Sequence, residues 1–76
     1  MSYAVALLPP DLWLQQIFDS KAARQGGIVR RKARDVERTV GRERFVREIK
    51  RRGFHCVENG GQFVVFCNNE QVHVLC

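Results

Sequence analysis

Apolar residues recur along this chain with two periods, about 3.6 residues in the first two thirds and about 2 in the last third. Leu14, Phe18 and Ala22, joined by Trp13 and Ile17, form a helical stripe. They predict a helix that begins near Pro10, where proline suits the first turn, and ends before Gly26-Gly27, with Trp13 in the core. After the glycines, the β-branched pair Ile28-Val29 predicts a short strand over Ile28 to Arg31, although Val29, Ala33, Val36 and Val40 also fit a helical face. A helical turn or two follows from Ala33 to Val40, and Gly41 interrupts it. The clearest helix runs from about Arg42 to Arg52, with Phe45, Val46 and Ile49 on one side and Gly53 as its stop.

The last third alternates, which predicts three antiparallel strands near Phe54 to Val57, Gln62 to Asn68 and Gln71 to Cys76. Asn59-Gly60 is a two-residue hairpin signal, and Asn69-Glu70 serves as the second loop. This register pairs Phe63 with both Cys56 and Cys76, Val65 with Val74, and Cys67 with Val72. One face then carries Phe54, Cys56, Phe63, Val65, Cys67, Val72, Val74 and Cys76. The other carries His55, Val57, Gln62, Val64, Phe66, His73 and Leu75. Both faces are largely apolar, whereas a sheet wet on one side should alternate with polar residues. The second face is therefore expected to meet the N-terminal segment or another subunit, with a homodimer the natural form. The expected fold class is α+β: two to three helices followed by a three-stranded antiparallel meander, in a single domain over residues 1–76.

The charge distribution adds a candidate surface. All 13 Lys and Arg residues lie between Lys21 and Arg52, ten of them arginine. Asp35, Glu37, Glu43 and Glu48 offset four, leaving +9 in that stretch and −2 in each flank of a chain whose net charge is +5. Such asymmetry suits an anionic partner, DNA or RNA, and the rival expectation is a solvated, salt-bridged helix surface. Within the last helix Glu43 can pair with Arg47, and Glu48 with Arg51 or Arg52, at three- and four-residue spacing. The candidate nucleic-acid-binding residues are Arg30, Arg31, Arg42, Arg44, Arg47, Lys50 and Arg51, and arginine favours bidentate phosphate contacts that give position without sequence specificity.

Other chemistry finds less support. Three widely spaced cysteines, an odd number without a CxxC pair, do not make a disulfide framework, and the expected compartment is the reducing cytoplasm. The apolar stretch Tyr3 to Leu8 is too short to span a membrane and has neither the basic start nor the cleavage site of a signal peptide. His55, Cys56, Cys67, His73 and Cys76 match no zinc spacing, and the expected register points histidines and cysteines to opposite faces, so no metal is expected. Ser2 and Ser20 stand in no GxSxG context, and Gly60-Gly61 is a turn without the Lys and helix of a phosphate loop, so no catalytic residue and no cofactor are expected. An enzyme would need arginines holding a small anionic substrate near His55 or His73, which the register places diagonally across adjacent rows.

Three resemblances follow from these segments. Helix one, a short strand, a helix at Ala33 to Val40, a turn at Gly41, a basic helix and a hairpin resemble winged-helix DNA-binding domains. That resemblance implies a second helix in the major groove and a hairpin touching flanking phosphates. It would put Arg42, Arg44, Arg47 and Lys50 toward DNA and make Asn59 to Gln62 the wing. Three departures stand out: Glu37 replaces a small packing residue, Arg47 an apolar one, and the wing Asn59 to Gln62 lacks basic residues. The segment Phe45 to Phe66, a basic helix, then Arg51-Arg52-Gly53-Phe54 and a glycine hairpin, is similar to HicA-type toxins and related double-stranded-RNA-binding folds. Here Gly60-Gly61-Gln62 stands where that family has its catalytic histidine. The whole chain also resembles short bacterial proteins labelled phosphoribosylanthranilate isomerase. The (β/α)8 barrel that this label implies takes roughly 200 residues or more, against 76 here. The expected function is thus a small, basic, non-catalytic nucleic-acid-binding domain. The alternatives are a homo-oligomeric protein-interaction module and, third, an enzyme acting on a small anion.

Overall fold

A computed structural model describes residues 8–76. Among them are four helices, α1 (Pro10–Phe18), α2 (Lys21–Arg24), α3 (Ala33–Thr39) and α4 (Arg42–Arg51). Three strands, β1 (Ile28–Lys32), β2 (His55–Asn59) and β3 (Gln62–Phe66), form one antiparallel sheet in the order β1-β3-β2. The α+β class holds. The N-terminal apolar stretch, expected as a possible cover for the sheet, lies outside the described residues as far as residue 7.

The expected first helix is divided in two. The Ser20 hydroxyl donates to the Ile17 carbonyl at 2.7 Å and accepts from the Ala23 amide at 3.3 Å, closing α1 and capping α2 in one residue. Leu14, Ile17 and Phe18 are buried as their stripe requires, and Trp13 is partly buried against the core.

The strand at Ile28 is present, one residue longer than expected, and its partner changes the topology. It pairs along β3, with Val29 opposite Val65 and Arg31 opposite Phe63. That edge of β3 was expected to hold residues 71–76, which instead form no strand, so the meander is replaced by a sheet closed from the first half of the chain. Local proximity favours a two-residue hairpin with the tail. Pairing with β1 instead brings Val29, Ala33 and Val36 onto one core with Phe63 and Val65.

The β2–β3 register is also shifted by two residues. Cys56 faces Val65 and Asn59 faces Gln62, so the loop is Gly60-Gly61 rather than Asn59-Gly60. Both glycines take positive φ, 58° and 77°, which a two-residue turn of this twist demands and which two glycines satisfy better than Asn-Gly. A two-residue shift keeps the side-chain alternation, so the faces predicted for β2 and β3 survive: Phe63, Val65 and Cys67 are buried, with Phe54 and Cys56 partly buried beside them, whereas Val72, Val74 and Cys76, expected on the same face, are exposed.

The core joins α1, α3, α4 and the inner sheet face around Phe45 and Ile49, with the Phe45 and Phe63 ring centroids 5.3 Å apart. Between α3 and α4 the chain turns within two residues, and the Val40 and Gly41 amides both donate to the Val36 carbonyl, at 2.8 and 2.9 Å. Gly41 has φ +94° and ψ +142°, a region other residues occupy only at a cost of about 1–3 kcal/mol. A Cβ there would meet nothing within 4 Å, so the cost is purely conformational. Gly41→Ala should therefore destabilise the domain by about that 1–3 kcal/mol, read as a lower midpoint in urea at unchanged m-value.

Candidate nucleic-acid interface

Phe45 and Ile49 turn one side of α4 into the core, which leaves Glu43, Val46, Arg47 and Lys50 on the side away from it. Arg42, Glu43, Val46, Arg47 and Lys50 line a shallow depression of about 430 Å³ on that surface. Arg47 sits opposite Phe45, which accounts for its standing where an apolar residue would be expected: the position faces out.

The seven predicted site residues separate into two groups. Arg42 donates from Nη1 and Nη2 to one oxygen of Glu58 at 2.9 and 2.7 Å, lies 3.4 Å from Glu37, and stacks 5.0 Å from the centroid of Phe63. Arg44 is paired with Asp11 of α1. Arg51 makes a forked pair with Glu48, at 3.1 and 2.7 Å, and Arg52 donates to the same carboxylate at 2.6 Å while its guanidinium lies 4.4 Å from the Phe18 ring centroid. Arg42 thus braces α4 against α3 and the hairpin, and Arg44 and Arg52 brace it against α1, while Arg51 pairs only within α4. Their charge is already partly offset by these carboxylates. Arg30, Arg31, Arg47 and Lys50 have no ion pair within the described residues.

Glu48 is matched with Arg51 and Arg52 as spacing predicts, but Glu43 does not pair with Arg47. The hydrogen bond from Arg51 is the largest effect on the Glu48 carboxyl, and with the hydrogen bond from Arg52 and the charges of both arginines it outweighs the opposing effect of burial and holds the group below its ordinary pKa. A folded-state value below the unfolded one, about 4.3, stabilises the fold above that pH, and the contribution is lost as pH falls through the folded value. Melting temperature should therefore drop more steeply below about pH 4.3 in the parent than in Glu48→Gln, which lacks the titrating group.

At the other end of the sheet, Lys32 pairs with Gln62, and the Ala33 amide donates to the Gly61 carbonyl at 2.8 Å, tying β1 to the hairpin turn. Arg30, Arg31, Lys32, Asp35 and Gln62 line a second shallow depression, of about 300 Å³. Sequence reading included Arg30 and Arg31 but passed over Lys32, which only the β1–β3 register places beside the turn. Val46, expected beside Phe45 and Ile49 on the apolar side, lies instead with Glu43, Arg47 and Lys50 on the outer surface, and only Phe45 and Ile49 of α4 are buried. The i, i+3 and i+4 spacing of Glu43 and Val46 with Arg47 and Lys50 was the available signal.

The histidines do not come together. His55 is in β2 opposite Phe66, and His73 is in the exposed segment 71–76, so the expected diagonal pair is not formed. Burial pushes the Cys56 thiol up, as does the nearby Glu58, and burial does the same at Cys67, so both are thiols rather than thiolates at neutral pH. Among the described residues no group of His, Cys, Asp and Glu is arranged to hold a metal ion, and no helix is long and apolar enough to cross a membrane. Compared with protein-family models, curated proteins and solved structures, the chain matches none.

Proposed function

We propose that this domain binds duplex DNA, with the outer side of α4 in the major groove and the Gly60-Gly61 turn, with the end of β1 beside it, on flanking phosphates. The observation that carries the reading is the pairing pattern on α4. Arg42, Arg44 and Arg51 are matched to acids, whereas Arg47 and Lys50, beside Val46 on the outward side, are not. The arrangement of a tight helix pair, then a hairpin whose free edge is closed by an earlier strand, supports it and resembles that of winged-helix domains.

Groove dimensions favour DNA over duplex RNA. A helix with its side chains is about 10–12 Å across, which suits the roughly 12 Å major groove of B-DNA and not the deep, narrow one of A-form RNA. Arg47 and Lys50 supply phosphate or guanine contacts, Val46 an apolar surface for a thymine methyl, and Glu43 an acceptor for a cytosine amino group. Arg30, Arg31 and Lys32 supply phosphate contacts only, so affinity rests mainly on charge.

Amide chemical shifts recorded during titration with a short DNA duplex test this placement. The largest changes should fall on residues 43–50 and on 30–32 with 59–62, and duplex RNA should perturb them less. Changes concentrated on α1 and the outer sheet face, with α4 silent, would overturn the reading.

A further inference from the structure

The segment Gln71–Cys76 retains a strand pattern without a strand. Val72, Val74 and Cys76 alternate with His73 and Leu75, none of the six residues is formally charged, and Val74 and Leu75 are 84% and 92% exposed. A hairpin return onto β3 is closed, because β1 and β2 occupy both of its edges. Asn68 fixes the departure of the segment: its side-chain amide donates to the Gly26 carbonyl at 2.9 Å and its side-chain oxygen accepts from the Glu70 amide at 3.0 Å. The segment thus leaves the sheet as an exposed, largely apolar stretch that pairs with no strand of its own chain among the described residues.

The same chain presents a strand edge suited to receive it. The two outer edges of the sheet belong to β1 and β2. Arg30, Arg31 and Lys32 guard the first, as charge commonly does on edges that must stay unpaired. The second has no such guard. The strand carries no Lys or Arg, Glu58 is held by Arg42, and Val57 is 41% exposed. Val57 also continues an apolar outer row through Val64, in a sheet face that includes Phe66 and the exposed Ile28.

We infer that two copies of this chain associate by reciprocal strand addition, residues 71–76 of each pairing along the free edge of β2 in the other. A second copy is the occupant because each chain carries both the donor strand and the acceptor edge, so one two-fold arrangement satisfies both sets of backbone groups at once. Each sheet becomes four-stranded, with Val72 and Val74 on one of its faces and Leu75 on the other. The inference does not depend on DNA binding, since it uses neither α4 nor the basic end of β1.

Sedimentation equilibrium of the whole chain, of a chain ending at Glu70 and of Val57→Lys tests it, with circular dichroism confirming that each is folded. The whole chain should be a dimer. Both altered chains should dissociate at least tenfold more readily while keeping the parent spectrum, and hydrogen exchange at residues 55–59 should be slower in the parent than in the shortened chain. A parent that stays monomeric to millimolar concentration overturns the inference. So does a dimer that survives removal of residues 71–76, or one that needs those residues but is indifferent to Val57→Lys and leaves exchange at 55–59 unchanged.

Discussion

Replacing Arg47 and Lys50 together by alanine should cost the domain about 30-fold in affinity for duplex DNA at 0.15 M salt. The magnitude follows from counterion release. With a slope of about −0.9 per phosphate contact, each contact contributes roughly 1 kcal/mol at that salt, so two lost contacts amount to about 2 kcal/mol. Neither side chain is matched to an acid, so their removal leaves no carboxylate unpaired and should leave the melting temperature nearly unchanged. Arg44→Ala is the informative contrast. Its guanidinium already faces Asp11, and its loss should change affinity less than about threefold, within the scatter of a single exposed ion pair worth about 0–1 kcal/mol. Equal losses for Arg44→Ala and for Arg47→Ala would mean that the ion pairs on α4 do not determine which cations meet DNA.

Phe45→Ala should be the most damaging single change to the fold. Phe45 is fully buried, stacked against Phe63, and placed where α4 meets the sheet. Truncating a buried phenylalanine costs about 3–5 kcal/mol, and a domain of this length has only about 4–11 kcal/mol in total. Thermal denaturation should show a fall of roughly 12–40 °C. Phe45→Leu keeps most of the volume and should fall by far less. A phenylalanine-to-alanine variant that melts within a few degrees of the parent would contradict the core described above.

How far the sequence revealed this arrangement depended on the range of the interactions. The α4 stripe of Phe45 and Ile49, the stop at Gly41 and the inner face of Phe63, Val65 and Cys67 are local patterns, and all are present. The division of the first helix was also local, written in Ser20 as a cap, but a continuous apolar stripe through Ala22 masked it. The partner of β3 was not local. Two segments, Ile28–Lys32 and residues 71–76, each carry strand-forming residues, and short loop length favoured the nearer. The farther one lies beside β3 because its pairing also seats Ala33 and Val36 in the core.

The candidate interface divides in the same way. That the cations crowd between Lys21 and Arg52 is plain from the chain, whereas which of them are neutralised is not. Asp11 reaches Arg44 from another helix and Glu58 reaches Arg42 from the hairpin, and no spacing rule connects either pair. The one ion-pair cluster that spacing did identify, Glu48 with Arg51 and Arg52, lies within a single helical turn.

The most direct test of the central claim is the salt dependence of binding to a short DNA duplex, followed by fluorescence anisotropy for the parent and for Arg47→Ala/Lys50→Ala. The parent should bind with a logarithmic slope of about −3 to −5, as expected if Arg47 and Lys50 act with two or three of the cations at the end of β1, and the double variant should lose about two from that magnitude. An unchanged slope in the double variant, or no binding by the parent at about 50 mM salt, would contradict the assignment of the outer side of α4 to DNA.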